Sequence, residues 1–475
     1  MKTRTAPLLF VSLLCLSVAV ALWGQEAPTD RLIRSLQLRV KMYPQDAAGY
    51  DNLGAAYIQK GRETGDAAYY ELAQQALNKS LDLLSDDPAA ASATTHMAVV
   101  YMAEHRFDDA LTWAQNALAL GSGDLTPWAI VVDALTDMGE YDKALAYGSR
   151  LEKGSDAEDA QSGLSYERNT RLSYLRFIFG DAKGAVELMR RAIAAAAASR
   201  MPRENIAWSQ YQLGEELFKV GDLKNAETAY GDALTSYPGY YRALAGLAAV
   251  REAQARYSEA IELYQRAIAV VPYPIYVAAL GDVYAKVGRP DEAKKQYDLV
   301  EFIGELNAIN KVLYNRELAL FYADHDMKLK GALALARKEL EVRHDVYTWD
   351  ALAWALYKNG KPQEAADAMT KALKPGTRDA ILLFHAGMIW GRLGRNDEAK
   401  EYLGRALATN ARFHIFYAEL AARTLEELRS QKPEVRMKRF WRVSSRFSLL
   451  TSARLEVSQK PSRKTVRDKV DGQEP

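Results

Sequence analysis

The sequence predicts an all-α solenoid of about ten stacked helix pairs, and three observations carry that prediction. A small residue recurs at a near-constant interval along most of the chain. Apolar residues make up 49% of the total, largely Ala, Leu and Tyr at helical spacing, and no Val/Ile-rich alternating run suggests a sheet. Proline and glycine gather between the periodic stretches, where helices must stop and turn. A chain of 475 residues ordinarily divides into two or three globular domains. A repeat array escapes that division, because each unit touches only its neighbours and the array lengthens without a larger central core.

The interval is set by one small residue at the start of the second helix of each pair. Ten positions qualify: Ala73, Ala110, Ala144, Ala185, Ala226, Ala260, Ala293, Ala332, Ala365 and Ala399. Their successive separations are 37, 34, 41, 41, 34, 33, 39, 33 and 34 residues. Ala here lets two helices approach closely, while Leu and Tyr at helical spacing fill the seam between them. Gly139, Gly180, Gly221, Gly288, Gly360 and Gly394 end the first helix of their pairs with positive φ. Pro88, Pro238 and Pro272 stop the second helix.

The clearest unit reads Leu213-Gly214, Leu217, Gly221-Asp222, Ala226, Tyr230, Ala233 and Pro238. The next two read Leu247-Ala248, Tyr257, Ala260, Tyr264, Ala267, Pro272 and Leu280-Gly281, Tyr284, Gly288, Ala293, Tyr297. These residue types at these offsets resemble the tetratricopeptide repeat, a helix–turn–helix of about 34 residues. The resemblance covers residues 36–429 and implies a right-handed superhelix of about ten units. Four departures from the period stand out. Arg62 to Tyr70 is expected to lengthen the turn of the first unit, and Lys153 to Ser165 to form an inserted loop. Met201 to Glu204 breaks the helices after Ala198. The eighth unit carries Asp324-His325-Asp326, expected as an exposed turn, in place of a turn glycine. An amphipathic helix from Phe413 to Leu428 would cap the last open seam.

Residues 1–24 read as an export signal. Lys2 and Arg4 precede an apolar run from Leu8 to Trp23, and Gln25, Glu26 and Asp30 follow. Cleavage after Ala21 or Gly24 would release the chain to the periplasm or beyond. The run is shorter than the roughly 20 residues that span hydrocarbon, but an uncleaved inner-membrane anchor facing the periplasm is the alternative. The single cysteine, Cys15, lies inside this run, so a cleaved chain has no thiol for a disulfide, a nucleophile or a metal.

No catalytic pattern appears. The six histidines fall in different units with no zinc spacing, and no phosphate loop, dinucleotide turn or nucleophile elbow is present. The sequence therefore predicts a non-enzyme with no cofactor and no metal site.

The resemblance instead implies a concave groove lined by first helices, where a protein or peptide partner lies. Carried over by offset, the groove-facing residues are Tyr174, Phe177, Trp208, Tyr211, Phe218, Phe321, Trp354, Tyr357 and Phe384, with Lys358 and Arg392 as partner-binding cations. Glu215, Lys219, Asp282 and Lys286 lie among them. Aromatic side chains beside isolated charges are the usual stuff of binding hot spots. A carboxylate clamp is not expected. Its Lys and Asn, four residues apart, are replaced by Tyr211 and Glu215, Ala278 and Asp282, and Asp350 and Trp354.

Residues 430–475 differ in character. From 431 onward they hold 12 Lys/Arg against 5 Asp/Glu, a net +7 in a chain of net +1; with the +2 of Lys2 and Arg4 also set aside, the repeat body is left at about −8. This segment lacks apolar periodicity and is expected to be disordered. Arg436 to Arg442, with Arg446 and Phe447, mixes cations with aromatics and suits anionic lipid; export argues against nucleic acid. The expected function is an exported scaffold for protein or peptide partners. The alternative is a membrane-anchored envelope assembly factor whose basic tail touches lipid.

Overall fold

A computed structural model describes residues 28–84, 88–123, 125–151, 164–309 and 315–430. Among them are 22 α-helices, one short 3-10 turn and no strand. An opening helix, Pro28–Met42, packs on the first of ten helix pairs, and a closing helix, Tyr417–Ser430, packs on the last of them. Each pair begins its second helix near one of the predicted alanines. All ten alanines are at most 1% exposed, so the interval read from the sequence is the interval of close helix approach. The buried apolar residues from Leu244 to Leu428 form one continuous seam rather than a central core.

Local chemistry explains the pairs. In unit five, Arg203–Lys219 and Leu223–Ser236, Gly214 stands where a Cβ would lie 2.5 Å from the Tyr230 ring. Gly246 of the next unit stands where a Cβ would lie 2.3 Å from that ring. Tyr230 is fully buried between these two glycines, and the Leu-Gly dipeptides are the sockets for such side chains. Gly180 and Gly221 end their first helices at φ +79° and +81°. The next residue in each case, Asp181 or Asp222, caps the second helix by accepting a backbone N–H from Gly184 or Asn225.

Two departures resolve differently from expectation. The extra residues of unit one lengthen its helices, Ala47–Thr64 and Ala68–Leu84, instead of its turn, which is only residues 65–67. Most of the Lys153–Ser165 insertion lies outside the described residues, but Leu164 and Ser165 already belong to a helix, Leu164–Ile178. The break at 201–202 falls where the sequence placed it, between Ala182–Ala198 and Arg203–Lys219.

The array also coils back on itself. The turn of unit three abuts the connection that follows unit eight, unit four that after nine, and unit five that after ten. Cβ atoms on Gly139, Gly180 and Gly221 would lie 2.5, 2.5 and 2.8 Å from the carbonyl oxygens of His344, Gly376 and Thr409. The last carbonyls of the first helices, which lack partners within their own helix, are capped across this seam. The His344 N–H donates to the Asp137 carbonyl at 2.8 Å. The Thr377 hydroxyl donates to Ile178 at 2.6 Å, and the Asn410 amide to Phe218 at 2.8 Å. One unit further on, the Arg412 guanidinium donates to the Ala253 carbonyl at 2.7 Å. At the other end, Arg62 of unit one pairs with Glu204 of unit five at 3.1 Å. Five units of accumulated rotation thus bring one coil of the solenoid onto the next.

Candidate functional site

Where the coils touch, the concave face is partly closed over. The first helices of units three to ten surround a cavity of about 870 Å³. It is lined by eleven carboxylates and four cations, which is a far more polar wall than the aromatic groove expected. The cations are already engaged. Arg171 holds Asp133 at 2.9 Å, Arg316 holds Asp345 at 3.1 Å, Arg343 holds Asp137 at 3.5 Å, and Lys219 lies 3.7 Å from Asp379. Lys219 also donates to the Tyr347 hydroxyl at 2.8 Å. The Arg343–Asp137 and Lys219–Asp379 contacts join the upper coil to the lower one, while the other two pairs link neighbouring units of one coil; the sequence reading, confined to single units, missed Arg316, Arg343, Asp345, Tyr347 and Asp379.

Four lining carboxylates have no cation within ion-pair distance among the described residues: Glu215, Glu216, Glu252 and Asp324. Glu215 accepts from the Tyr230 hydroxyl at 2.6 Å and Glu216 from Ser173 at 2.6 Å. The second oxygen of Glu216 is buried without a hydrogen-bond partner, and the residue is 8% exposed. Burial pushes Glu216 up to about 7, against the Ser173 hydrogen bond. Burial, with Asp282 adding like charge, pushes Glu252 up to about 8. Burial likewise lifts Asp137 to about 7 despite Arg343.

The far end of the cavity is a buried histidine–carboxylate cluster. His325 meets Asp282 at 2.8 Å through Nε2 and the Phe321 carbonyl at 2.7 Å through Nδ1, and the Tyr297 hydroxyl donates to the same Asp282 oxygen. Burial works against charge on both partners, but the pairing prevails: His325 is held above its ordinary value and Asp282 below. Asp324 accepts from the Trp354 indole at 2.7 Å and from the Tyr417 hydroxyl at 2.8 Å. The Asp324-His325-Asp326 segment, expected as an exposed turn, is therefore a half-buried junction between units seven, eight, nine and the closing helix. Among the described residues, no group of three or more His, Cys, Asp or Glu could hold a metal ion.

The predicted binding residues divide into two sets. Tyr174, Phe177, Trp208 and Phe321 line the cavity, with Glu215, Lys219 and Asp282 beside them; of these, Phe177 and Phe321 are 3% and 5% exposed. The others do not line it. Tyr211 packs against Tyr230 and Tyr240, and Phe218 packs into the seam of units four to six. Trp354 is buried, stacked between His385 at 4.1 Å and Tyr357 at 4.9 Å. Phe384 is fully buried and stacks on Tyr417 at 4.8 Å. Lys358 pairs with Asp326 at 2.7 Å, and Arg392 is half-buried at the end of its helix. For Trp354 and Phe384 the physical reason is the closing helix, whose Tyr417 packs on both rings.

A family model described as tetratricopeptide repeat matches residues 211–274 and 351–414, which span units five and six and units nine and ten. No curated protein matches the chain. Among solved structures, the chain is similar to a tetratricopeptide repeat protein from Parabacteroides merdae at 17% identity. That match covers 56% of this chain and 99% of that one, with a TM-score of 0.32. It is also similar to yeast Tom70 at 13% identity, covering 86% and 94% with a TM-score of 0.33. The Cut9–Hcn1 structure matches at 13% identity, covering 87% and 98% with a TM-score of 0.31.

Proposed function

Because this chain is a tetratricopeptide-repeat protein, we propose that it is an interaction scaffold that holds a protein or peptide segment in the partly open cavity of its concave face. The observation that supports this reading is the cavity itself. Its volume of about 870 Å³ lies within the roughly 300–1,000 Å³ of ligand-binding pockets. Its wall combines the half-buried Trp208 and Tyr174 with carboxylates that have no cation of their own. Such a wall selects a segment carrying both positive charge and apolar side chains.

The test is capture by the full chain and two variants from an extract of the source cell. Trp208→Ala combined with Glu215→Gln removes one anchor and one charge from the cavity. Leu38→Ser alters an exposed position on the outer face of the opening helix. A partner lost from the first variant and retained by the second supports the concave surface; equal capture by both refutes it.

Export is part of the same proposal and rests on Lys2, Arg4 and the run Leu8 to Trp23, all outside the described residues. No helix among the described residues is long and apolar enough to cross a membrane. N-terminal sequencing of the mature protein decides the matter: a new terminus near residue 22 or 25 supports export, and an intact Met1 contradicts cleavage.

A further inference from the structure

The cavity holds more negative charge than the residues around it neutralise, and the chain carries the matching positive charge outside the array. We propose that the C-terminal segment, residues 431–475, occupies the cavity of its own chain, with the cations of 436–442 against Glu215, Glu216, Glu252 and Asp324. The inference rests on the reading of the concave face as a binding surface and names its resident occupant.

Three observations converge on it. The lining has eleven carboxylates against four cations, and the segment beyond Ser430 has a net charge of +7. Glu216 lines this cavity and keeps one carboxylate oxygen buried without a hydrogen-bond partner, an arrangement that costs stability until a donor reaches it. Burial holds Glu216 and Glu252 above the ordinary carboxylate value, and a cation brought beside them would restore their charge.

The geometry allows the return. His414 and Ile415 line the cavity, and the closing helix, Tyr417–Ser430, then runs 14 residues, or about 21 Å at 1.5 Å per residue. Twelve residues from Gln431 to Arg442 reach up to about 40 Å when extended. Arg436 to Arg442 can therefore come back over the helix to the cavity mouth. The mixed composition of that run, with Phe440 and Trp441 among its cations, suits a wall that pairs Trp208 and Tyr174 with carboxylates that lack a cation. A tethered segment meets its own site at an effective concentration up to the millimolar range. An outside partner must then displace it, which makes the scaffold self-restrained.

The full chain with p-benzoylphenylalanine in place of Trp441 tests the contact directly. Irradiation of a mixture of isotopically light and heavy protein separates links within one molecule from links between two. The expected result is intramolecular links to residues 164–178 and 203–219, lost in about 1 M salt and in the variant R436E/K438E/R439E/R442E. Links confined to second helices, links between molecules, or links indifferent to the charge reversal overturn the proposal.

A labelled peptide of residues 434–447 supplies a second reading. It should bind the charge-reversed full chain at least tenfold more tightly than it binds the wild type, because the cavity is then vacant. Equal affinity overturns self-occupancy. If capture of a partner still depends on Trp208 in that case, the scaffold reading stands; if neither peptide nor partner responds to Trp208, both readings fall.

Discussion

Replacing Gly180 by alanine asks whether the coils of the solenoid are held together where they touch. Gly180 sits at φ +79°, so any L side chain there costs about 1–2 kcal/mol for the left-handed backbone alone. A Cβ would also stand 2.5 Å from the Gly376 carbonyl oxygen, whereas an ordinary contact begins near 3.4 Å. Backbone faces backbone, so the coils must separate by about 0.9 Å. That displacement stretches the 2.6 Å bond from the Thr377 hydroxyl to the Ile178 carbonyl. Both groups are buried, and leaving the carbonyl unpaired costs a further 1–3 kcal/mol or so. The expected total is about 2–5 kcal/mol.

The control is Gly360→Ala. Gly360 has φ +74° with nothing within 4 Å of a Cβ, so it bears only the backbone cost. Urea unfolding should separate the two variants by about 1–3 kcal/mol. Hydrogen exchange should localise the extra loss in G180A to residues 164–178 and the loop around Thr377. Small-angle scattering should show an opened coil in G180A and an unchanged one in G360A. Equal destabilisation by the two substitutions would falsify the seam as a load on stability.

Two further predictions use the cavity and its edge. Glu216 has a folded-state value near 7, above the ordinary 4.5, so between those values the folded state binds more protons than the unfolded one. Stability conferred by that proton is therefore present below about pH 4.5 and lost as pH rises through about 7. E216Q should flatten that decline and raise stability at pH 8 by up to roughly 3 kcal/mol, read from urea midpoints across the pH range; an unchanged slope contradicts the assignment. Trp354→Ala should cost about 3–5 kcal/mol by opening a buried cavity, whereas Trp208→Ala, at a half-buried lining position, should cost less than about 2 kcal/mol and lower partner capture. Thermal melts set against capture by the surviving folded protein check both, and a reversed order refutes the placement of the two tryptophans.

The parts of this fold that the sequence disclosed are those made by neighbours in sequence. Ala226, Tyr230 and Gly214 meet within one unit, so their chemistry leaves an imprint at a fixed interval. His344 and Asp137, Thr377 and Ile178, and Asn410 and Phe218 are some 190–210 positions apart. Whether they meet depends on the rotation summed over five units, and no local pattern records that sum. A faint trace exists only afterwards: Thr377 and Asn410 are polar residues in connections, yet they are 1% and 4% exposed.

The same distinction explains the site. Offsets named Trp208 and Tyr174, which line the cavity, because a first helix presents the same face in every unit. They misjudged Trp354 and Phe384, because the closing helix folds its Tyr417 over those positions. They also missed the carboxylate character of the wall, since Glu252, Asp345 and Asp379 become neighbours only when the coil closes.

The stitched seam bears on how anything enters. A free solenoid stretches like a spring, and a strand can slip sideways between its coils. Here the gaps beside units three to six are each bridged by a carbonyl and its donor from the coil above, so extension must break those bonds one after another. A segment flanked by bulky folded domains on both sides has no sideways entry while the stitches hold. A free chain end, by contrast, can be threaded in from the mouth.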